Sequence, residues 1–430
     1  MKVAITQGDT NGVGLEIAIK AIAAEGMTEL MTPVVFANRH LFQQTLARLK
    51  GEISMKYFIA DSPADIKEGK INVVNVGTSP IEPLYGEPTP EGGRAALESL
   101  EAAVDALEEG LVDVLVTAPI NKHAIQSEHF SFPGHTEYLE ARLSDDDCDD
   151  QSDSASDESA HPALSESSEK AIDSLAEKIA DATDSALDLS DVELTLEESR
   201  EDAEAGQSAQ GASAEKHSAK KDQPAPEKSR SYTSAKAQMI LFSDDMRVAL
   251  LTTHLPVSEV SGAVKRPAIE DAVRRFDRTL RRDFACDRPR IAVLGLNPHN
   301  GDNGLMGVEE VEEIIPALRA LQEDGVLAFG PYAADGFFGS GAWKNFDGIL
   351  AMYHDQGLAP FKALAGAEGV NFTSGLEYIR TSPDHGTAYE IAGEMIADPT
   401  SMRQAIYKAI DIYRMRRRFD KMSAHPLKTK

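Results

Sequence analysis

Three apolar runs in this chain each lead to a histidine. RVALLTTHLP reaches His254, RIAVLGLNPHNGDNG reaches His299 and FDGILAMYHDQG reaches His354. A neutral imidazole is a good donor to a divalent cation. Three of them leave coordination positions open for water or substrate, as a catalytic metal site requires. Taken singly, each is an ordinary loop histidine at the polar end of a strand. Their equivalent positions favour a shared site, because the carboxyl ends of parallel strands lie along one sheet edge.

Other residues suit an anion. In FPGHTEYLEARL, His135 and Thr136 follow the Pro133-Gly134 turn. A helix that starts there offers free backbone N–H groups and a small hydroxyl to a group such as phosphate; helix capping by Thr136 is the alternative. Lys362, Asn371 and Arg380 follow His354 within one stretch. Two cations and an amide near a metal suit a phosphorylated or carboxylated substrate, which an arginine grips bidentately. Alone, each reads as a surface residue. GDTNGVG, residues 8–14, is glycine-rich but matches neither GxGxxG nor GxxxxGK[ST], so a tight strand-to-helix turn explains it equally well.

The elements that must position these groups alternate. KVAITQGD, PVVFAN, INVVNVG and VDVLVTAPI join the three histidine-bearing runs as expected buried strands. Several are near-continuous Val/Ile/Leu runs, the pattern of parallel strands covered on both faces. LEIAIKAIAAEGM and GGRAALESLEAAVDALEEG carry apolar residues at helical spacing between them. The expectation is an α/β fold, with sites beyond the carboxyl ends of strands.

The 430 residues suit two or three domains. The two cysteines, Cys148 and Cys286, form no CxxC pair, so neither a disulfide framework nor a thiolate metal site is expected. MKVAITQGDTNGVG lacks the features of a signal peptide. No apolar run approaches the roughly 20 residues that span a bilayer. A cytoplasmic protein that binds neither membrane nor nucleic acid is expected, and the net charge of −28 agrees, since nucleic-acid binding needs a basic footprint. Residues 144–234 account for −17 of that charge and the rest for −11. The segment is rich in Ser, Ala, Asp and Glu, a composition that cannot bury enough apolar surface to order itself. It reads as a mostly disordered insertion between core segments 1–143 and 235–430. Ile172, Leu175, Ile179 and Ala182 within it share helical spacing. A solvated spacer is the expectation; a partner-binding or salt-adaptation role is the alternative.

Taken together, ITQGDTNGVGLEI, VTAPINK, FPGHTEYL, LLTTHLPV, IAVLGLNPHNGDNG, AMYHDQGLAPFK and GLEYIRTSPDHGTAYEIAG resemble the 4-hydroxythreonine-4-phosphate dehydrogenase family of vitamin B6 biosynthesis. The segments occur in the family's order and span nearly the whole chain outside 144–234. The resemblance implies a two-subdomain α/β/α fold like the isocitrate and isopropylmalate dehydrogenases, with a cleft between the subdomains. It also implies a homodimer whose active site lies at the subunit contact. It places one divalent cation (Zn, Mg or Co) on His254, His299 and His354, and the phosphorylated amino-acid substrate on His135, Thr136, Lys362, Asn371 and Arg380. Asp335 and Asp355 fall on acidic positions beside the substrate. Residues 384–399 are similar to the loop that holds the adenosine part of NAD, which puts the cofactor on His385, Gly386 and Thr387. Lys362 is the first candidate for the base and Asp335 the second; Lys362 serves equally as an anion clamp. One departure is GDTNGVGLE in place of the family's usual GDPAGIGPE, which keeps Gly8, Asp9, Gly12, Gly14 and Glu16. The acidic insertion is the other. Rival readings are a sister dehydrogenase of threonate or erythronate phosphate, a metal phosphohydrolase, and a scaffold displaying the acidic segment.

Overall fold

The computed structural model describes residues 1–127, 130–132, 134–143 and 237–424. The expected disordered insertion and its short helix lie outside them. The described residues belong to one compact unit, Met1–Asp146 with Arg230–Lys430. They build a single twelve-stranded sheet.

Its strands are β1 (Lys2–Thr6), β2 (Thr32–Ala37), β3 (Tyr57–Ala60), β4 (Ile71–Asn75), β5 (Val114–Val116), β6 (Gln238–Phe242), β7 (Arg247–Leu250), β8 (Ile291–Leu294), β9 (Ala328–Tyr332), β10 (Gly348–Ala351), β11 (Val370–Ser374) and β12 (Arg380–Pro383). The spatial order is β3-β4-β2-β1-β5-β12-β11-β6-β7-β10-β8-β9. Every strand expected from an apolar run is present, as are the helices Gly14–Ile22 and Pro90–Glu108. The three histidine-bearing strands are parallel neighbours, with β10 between β7 and β8. Their carboxyl ends therefore share one edge.

The middle of the sheet is different. β11 runs antiparallel to both β6 and β12, and β6 runs antiparallel to β7. Parallel pairing resumes from β12 to β5. This antiparallel insert joins two parallel halves and was not signalled by the apolar pattern.

Helices cover both faces, as strands buried on both sides require. On one face a single apolar core runs the length of the sheet, from Val3 and Ile5 through Val116, Phe372 and Ile240 to Val293. On the other face the core is in two pieces. One packs Ala4, Val34 and Leu115 against Leu100 and Leu139; the second packs Leu241, Val248 and Ile349 against Leu358 and Phe361. Side chains alternate between faces along a strand. Phe372 belongs to the continuous core, so Asn371 and Thr373 point to the divided face. Arg380, opposite Thr373 in the register, points there too. A polar patch thus occupies the gap between the two apolar clusters. Among the described residues no helix is long and apolar enough to cross a membrane.

Candidate active site

Arg380 is 3% exposed. Its guanidinium donates from Nε and Nη2 to Thr117 Oγ1, at 3.0 and 2.7 Å, and from Nη1 to Thr373 Oγ1 at 3.1 Å. Both acceptors are neutral hydroxyls. Burial pulls its pKa down to about 10, with the Glu137 charge acting in the opposite sense, so it remains charged at neutral pH. A buried cation with neutral partners is costly unless an anion joins it.

The groups around it suit that anion. His135 and Thr136 open the helix His135–Leu143, and Thr136 Oγ1 lies 3.4 Å from Thr373 Oγ1. Thr136 is the second helical residue, facing the sheet, rather than the cap before the helix. Burial, reinforced by the Arg380 and Lys122 charges, holds the His135 imidazole well below its usual range, so the ring is neutral at pH 7. His135 Nε2 and Asn371 Oδ1 are sealed from solvent with no partner. Unpaired buried polar atoms are rare and ask for a ligand.

A second group forms at the carboxyl ends of β7 and β10. His254 and His354 line one pocket with Thr252, Tyr353 and Asp355. His254 Nδ1 lies 2.8 Å from Glu137 Oε1, and the Lys122 Nζ lies 3.2 Å from His254 Nε2. A carboxylate only accepts and an ammonium only donates, which fixes the proton on Nδ1 and the lone pair on Nε2. His354 is arranged alike, its Nδ1 2.7 Å from Asp355 Oδ1. Imidazoles whose far nitrogen is tied to a carboxylate are set up to ligate a metal, and the ammonium at His254 Nε2 already stands where a cation would sit. The two residues therefore fit a divalent cation.

His299 lies elsewhere. It opens a run of six residues with positive φ, His299 to Gly304, at 52, 56, 73, 43, 56 and 95°. Four of the six have side chains, for which the left-handed region costs energy. Asn300 Nδ2 donates to Pro331 O, and the buried Glu310 Oε1 accepts from the N–H groups of Leu296 and Asn297. These bonds hold the loop against the end of β9, whose following helix, Ala334–Gly339, carries an exposed Asp335. Neither His299 nor Asp335 touches the pocket of His254 and His354, and among the described residues no three His, Cys, Asp or Glu come close enough to hold a metal. Gln356, next to Asp355, is structural: its amide donates to Gly295 O and its carbonyl accepts from Met352 N, tying β8 to β10.

Lys362 forms an ion pair with Asp384 at 3.2 Å. Burial raises the Asp384 carboxyl, and the charges of Lys362, His385 and His354 counter it. His385 is exposed, its Nδ1 3.0 Å from Gly386 O. Thr387 meets the glycine loop: its carbonyl accepts from Val13 N, and a Cβ on Gly12 would stand 2.7 Å from it. The N–H groups of Asp9, Asn11, Gly12 and Val13 are all taken by protein acceptors. GDTNGVG is therefore a clamp for residues 387–397 rather than a phosphate cradle. Tyr389 donates to Asp9 Oδ2, and Glu16 Oε1 accepts from Ala397 N.

Lys122, Glu137, Thr117, Thr373 and Asp384 were not singled out in the sequence. VTAPINK and GHTEYL contain three of them, and a polar residue directly after an apolar strand was the available signal.

The fold and site define an α/β protein with a buried arginine among unpaired polar atoms and a pocket of two histidines on one sheet. The model of the pyridoxal phosphate biosynthetic protein PdxA matches residues 29–149 and 222–409. A 4-hydroxythreonine-4-phosphate dehydrogenase of Bacteroides thetaiotaomicron is 40% identical over 428 residues, covering 100% of this chain and 93% of that protein. An Oceanobacillus iheyensis protein named, provisionally, as a D-threonate 4-phosphate dehydrogenase is 30% identical over 412 residues, 95% of this chain and 97% of its own. The crystal structure of the Klebsiella pneumoniae 4-hydroxythreonine-4-phosphate dehydrogenase superposes with a TM-score of 0.64 at 28% identity, covering 96% of this chain and 99% of that one. The chain belongs to the PdxA family of dehydrogenases.

Proposed function

We propose that this protein oxidises 4-phosphooxy-L-threonine with NAD to 2-amino-3-oxo-4-(phosphooxy)butanoate, which loses CO₂ to give 3-amino-2-oxopropyl phosphate. The observation that carries the reading is Arg380, a buried guanidinium bonded to hydroxyls alone, beside the unpaired His135 Nε2 and Asn371 Oδ1. Arg380, His135, Thr136 and Asn371 hold the anionic substrate. His254 and His354, with His299, hold one divalent cation, which when bound acts as a Lewis acid towards the substrate hydroxyl. His385, Gly386 and Thr387 would hold NAD, which when bound would supply the hydride acceptor. Lys362 is assigned the hydroxyl proton, with Asp335 second. As a base Lys362 must leave its ion pair with Asp384; as an anion clamp it need not.

The same reading makes the protein a cytoplasmic homodimer with a shared site. His299 stands apart from the other two histidines, as a ligand supplied to a second copy would. Leu255 and Val257 at the pocket rim are exposed, as are Leu305, Met306 and Val308 on the loop after His299 and Val311 on the helix Glu310–Ile314 that follows it. The two segments are linked by a Ser261–Glu309 hydrogen bond. A patch of this kind marks an interaction surface.

The test is NADH formation by the purified protein with a divalent cation, comparing 4-phosphooxy-L-threonine with 4-phospho-D-threonate. Faster turnover of the amino acid is expected. Preference for the threonate assigns the chain to the sister activity, a reading that its likeness to the Oceanobacillus protein favours. Phosphate release without NADH would overturn both.

A further inference from the structure

Glu137 has no part in the substrate reading, yet it lies between its two halves. It is the third residue of the helix His135–Leu143, whose first two residues carry the unpaired His135 Nε2 and the Thr136 contact to Thr373. Its Oε1 accepts from His254 Nδ1 at 2.8 Å, and its Oε2 is sealed from solvent with no partner. The carboxylate therefore has one side-chain partner, an imidazole 117 positions away in sequence. A helix-end acid that served only the helix dipole would need no such partner.

We propose that Glu137 is the positioning residue of His254: it holds the proton on Nδ1 and turns Nε2, with its lone pair, into the pocket shared with His354. This rests on the metal reading given above. The geometry supports it in two ways. Without Glu137 only the Lys122 ammonium at Nε2 would bias the tautomer, and a bound metal would displace it; the Glu137 bond holds the proton on Nδ1 and the ring in place. Asp355 makes the matching contact to His354 Nδ1 at 2.7 Å, but its side chain is 85% exposed, whereas that of Glu137 is 29% exposed. The better shielded carboxylate is the more effective orienter, because water competes less for its lone pairs. Glu137 also couples the two halves of the site, since one helix carries His135, Thr136 and the group that aims His254.

The test is cobalt(II) affinity of the full-length protein, measured by competition with a chromophoric chelator, for the wild type, Glu137→Gln, Glu137→Ala, His254→Ala and the Glu137→Ala/His254→Ala double variant. Loss of an orienting carboxylate weakens metal binding by about 10- to 100-fold. Glu137→Ala should show that loss, and Glu137→Gln, a neutral acceptor of the same length, a smaller one. In the His254→Ala background Glu137→Ala should cost nothing further. If His254→Ala loses affinity while both Glu137 variants bind like the wild type, this proposal alone falls. An equal further loss in the His254→Ala background overturns it as well, since Glu137 would then act by another route. If His254→Ala itself binds cobalt(II) normally, the metal reading beneath it fails first.

Discussion

Arg380 is a buried cation whose hydrogen-bond partners in the free protein are neutral hydroxyls. Removing it should separate stability from binding. Arg380→Met keeps the length and apolar character of the stem while discarding the charge. A buried charge replaced by a well-packed apolar residue is often neutral or stabilising, so the thermal midpoint of the free variant should hold or rise. A hydrogen bond to a charged group contributes about 1.5–3 kcal/mol. The KM for the phosphorylated substrate should therefore rise by roughly 10- to 100-fold or more, since Arg380 can make two such bonds. Steady-state kinetics beside a melting curve checks both. A variant that melts far lower with an unchanged KM would make Arg380 a structural residue.

At the scale of elements, the loop after β1 and the segment after β12 behave as one piece. Val13 donates to Thr387, Tyr389 to Asp9 and Ala397 to Glu16, and Lys20 donates to the carbonyls of Met395 and Ala397. Burial raises the Asp9 carboxyl, and hydrogen bonds from Asn11 and Tyr389 oppose that rise. Tyr389→Phe removes one of these bonds at the edge of the proposed NAD loop. It should cost about 1 kcal/mol of stability and raise the KM for NAD more than that for the phosphorylated substrate. Equal effects on both would detach this loop from the cofactor. The antiparallel strands β11 and β12 act on the other ligand, because their register sets Thr373 opposite Arg380 and Asn371 opposite Ser382.

At the scale of the whole molecule, the chain leaves and re-enters the core at one place. Glu140, near the end of the helix His135–Leu143, accepts from Ala237 N at 3.2 Å. The described segments that end at residue 143 and resume at residue 237 therefore lie side by side. Replacing residues 146–232 with a short Gly/Ser bridge should leave the thermal midpoint and turnover near those of the full chain; a folded variant without turnover would give the segment a catalytic part. A shared site makes a second prediction. His254→Ala and His299→Ala should each be inactive alone. Mixed as subunits, they should recover roughly one quarter of the sites, because half the dimers are mixed and one site in each is intact. No recovery after mixing would place all three histidines in one subunit.

How much of this was legible in the sequence follows from the range of each force. Hydrophobic periodicity is local, so the seven apolar strands and the two amphipathic helices could be read directly, and with them the delivery of three histidines to one sheet edge. The turn and helix of PGHTEYL were readable for the same reason. Contacts between distant segments were not. The antiparallel insert depends on pairing β6 with β11 across more than a hundred residues, and together with the β12–β5 pairing it places Arg380 between two apolar clusters. Which carboxylate meets which base, Glu137 on His254 and Asp384 on Lys362, is likewise decided by packing. The left-handed run after Pro298 turns His299 out of the company its strand-end position suggested. Sequence determined which groups reach the edge, because strand and helix periods are written residue by residue. Only the tertiary structure decided which of them face each other, because burial and charge pairing act across the sheet and not along the chain.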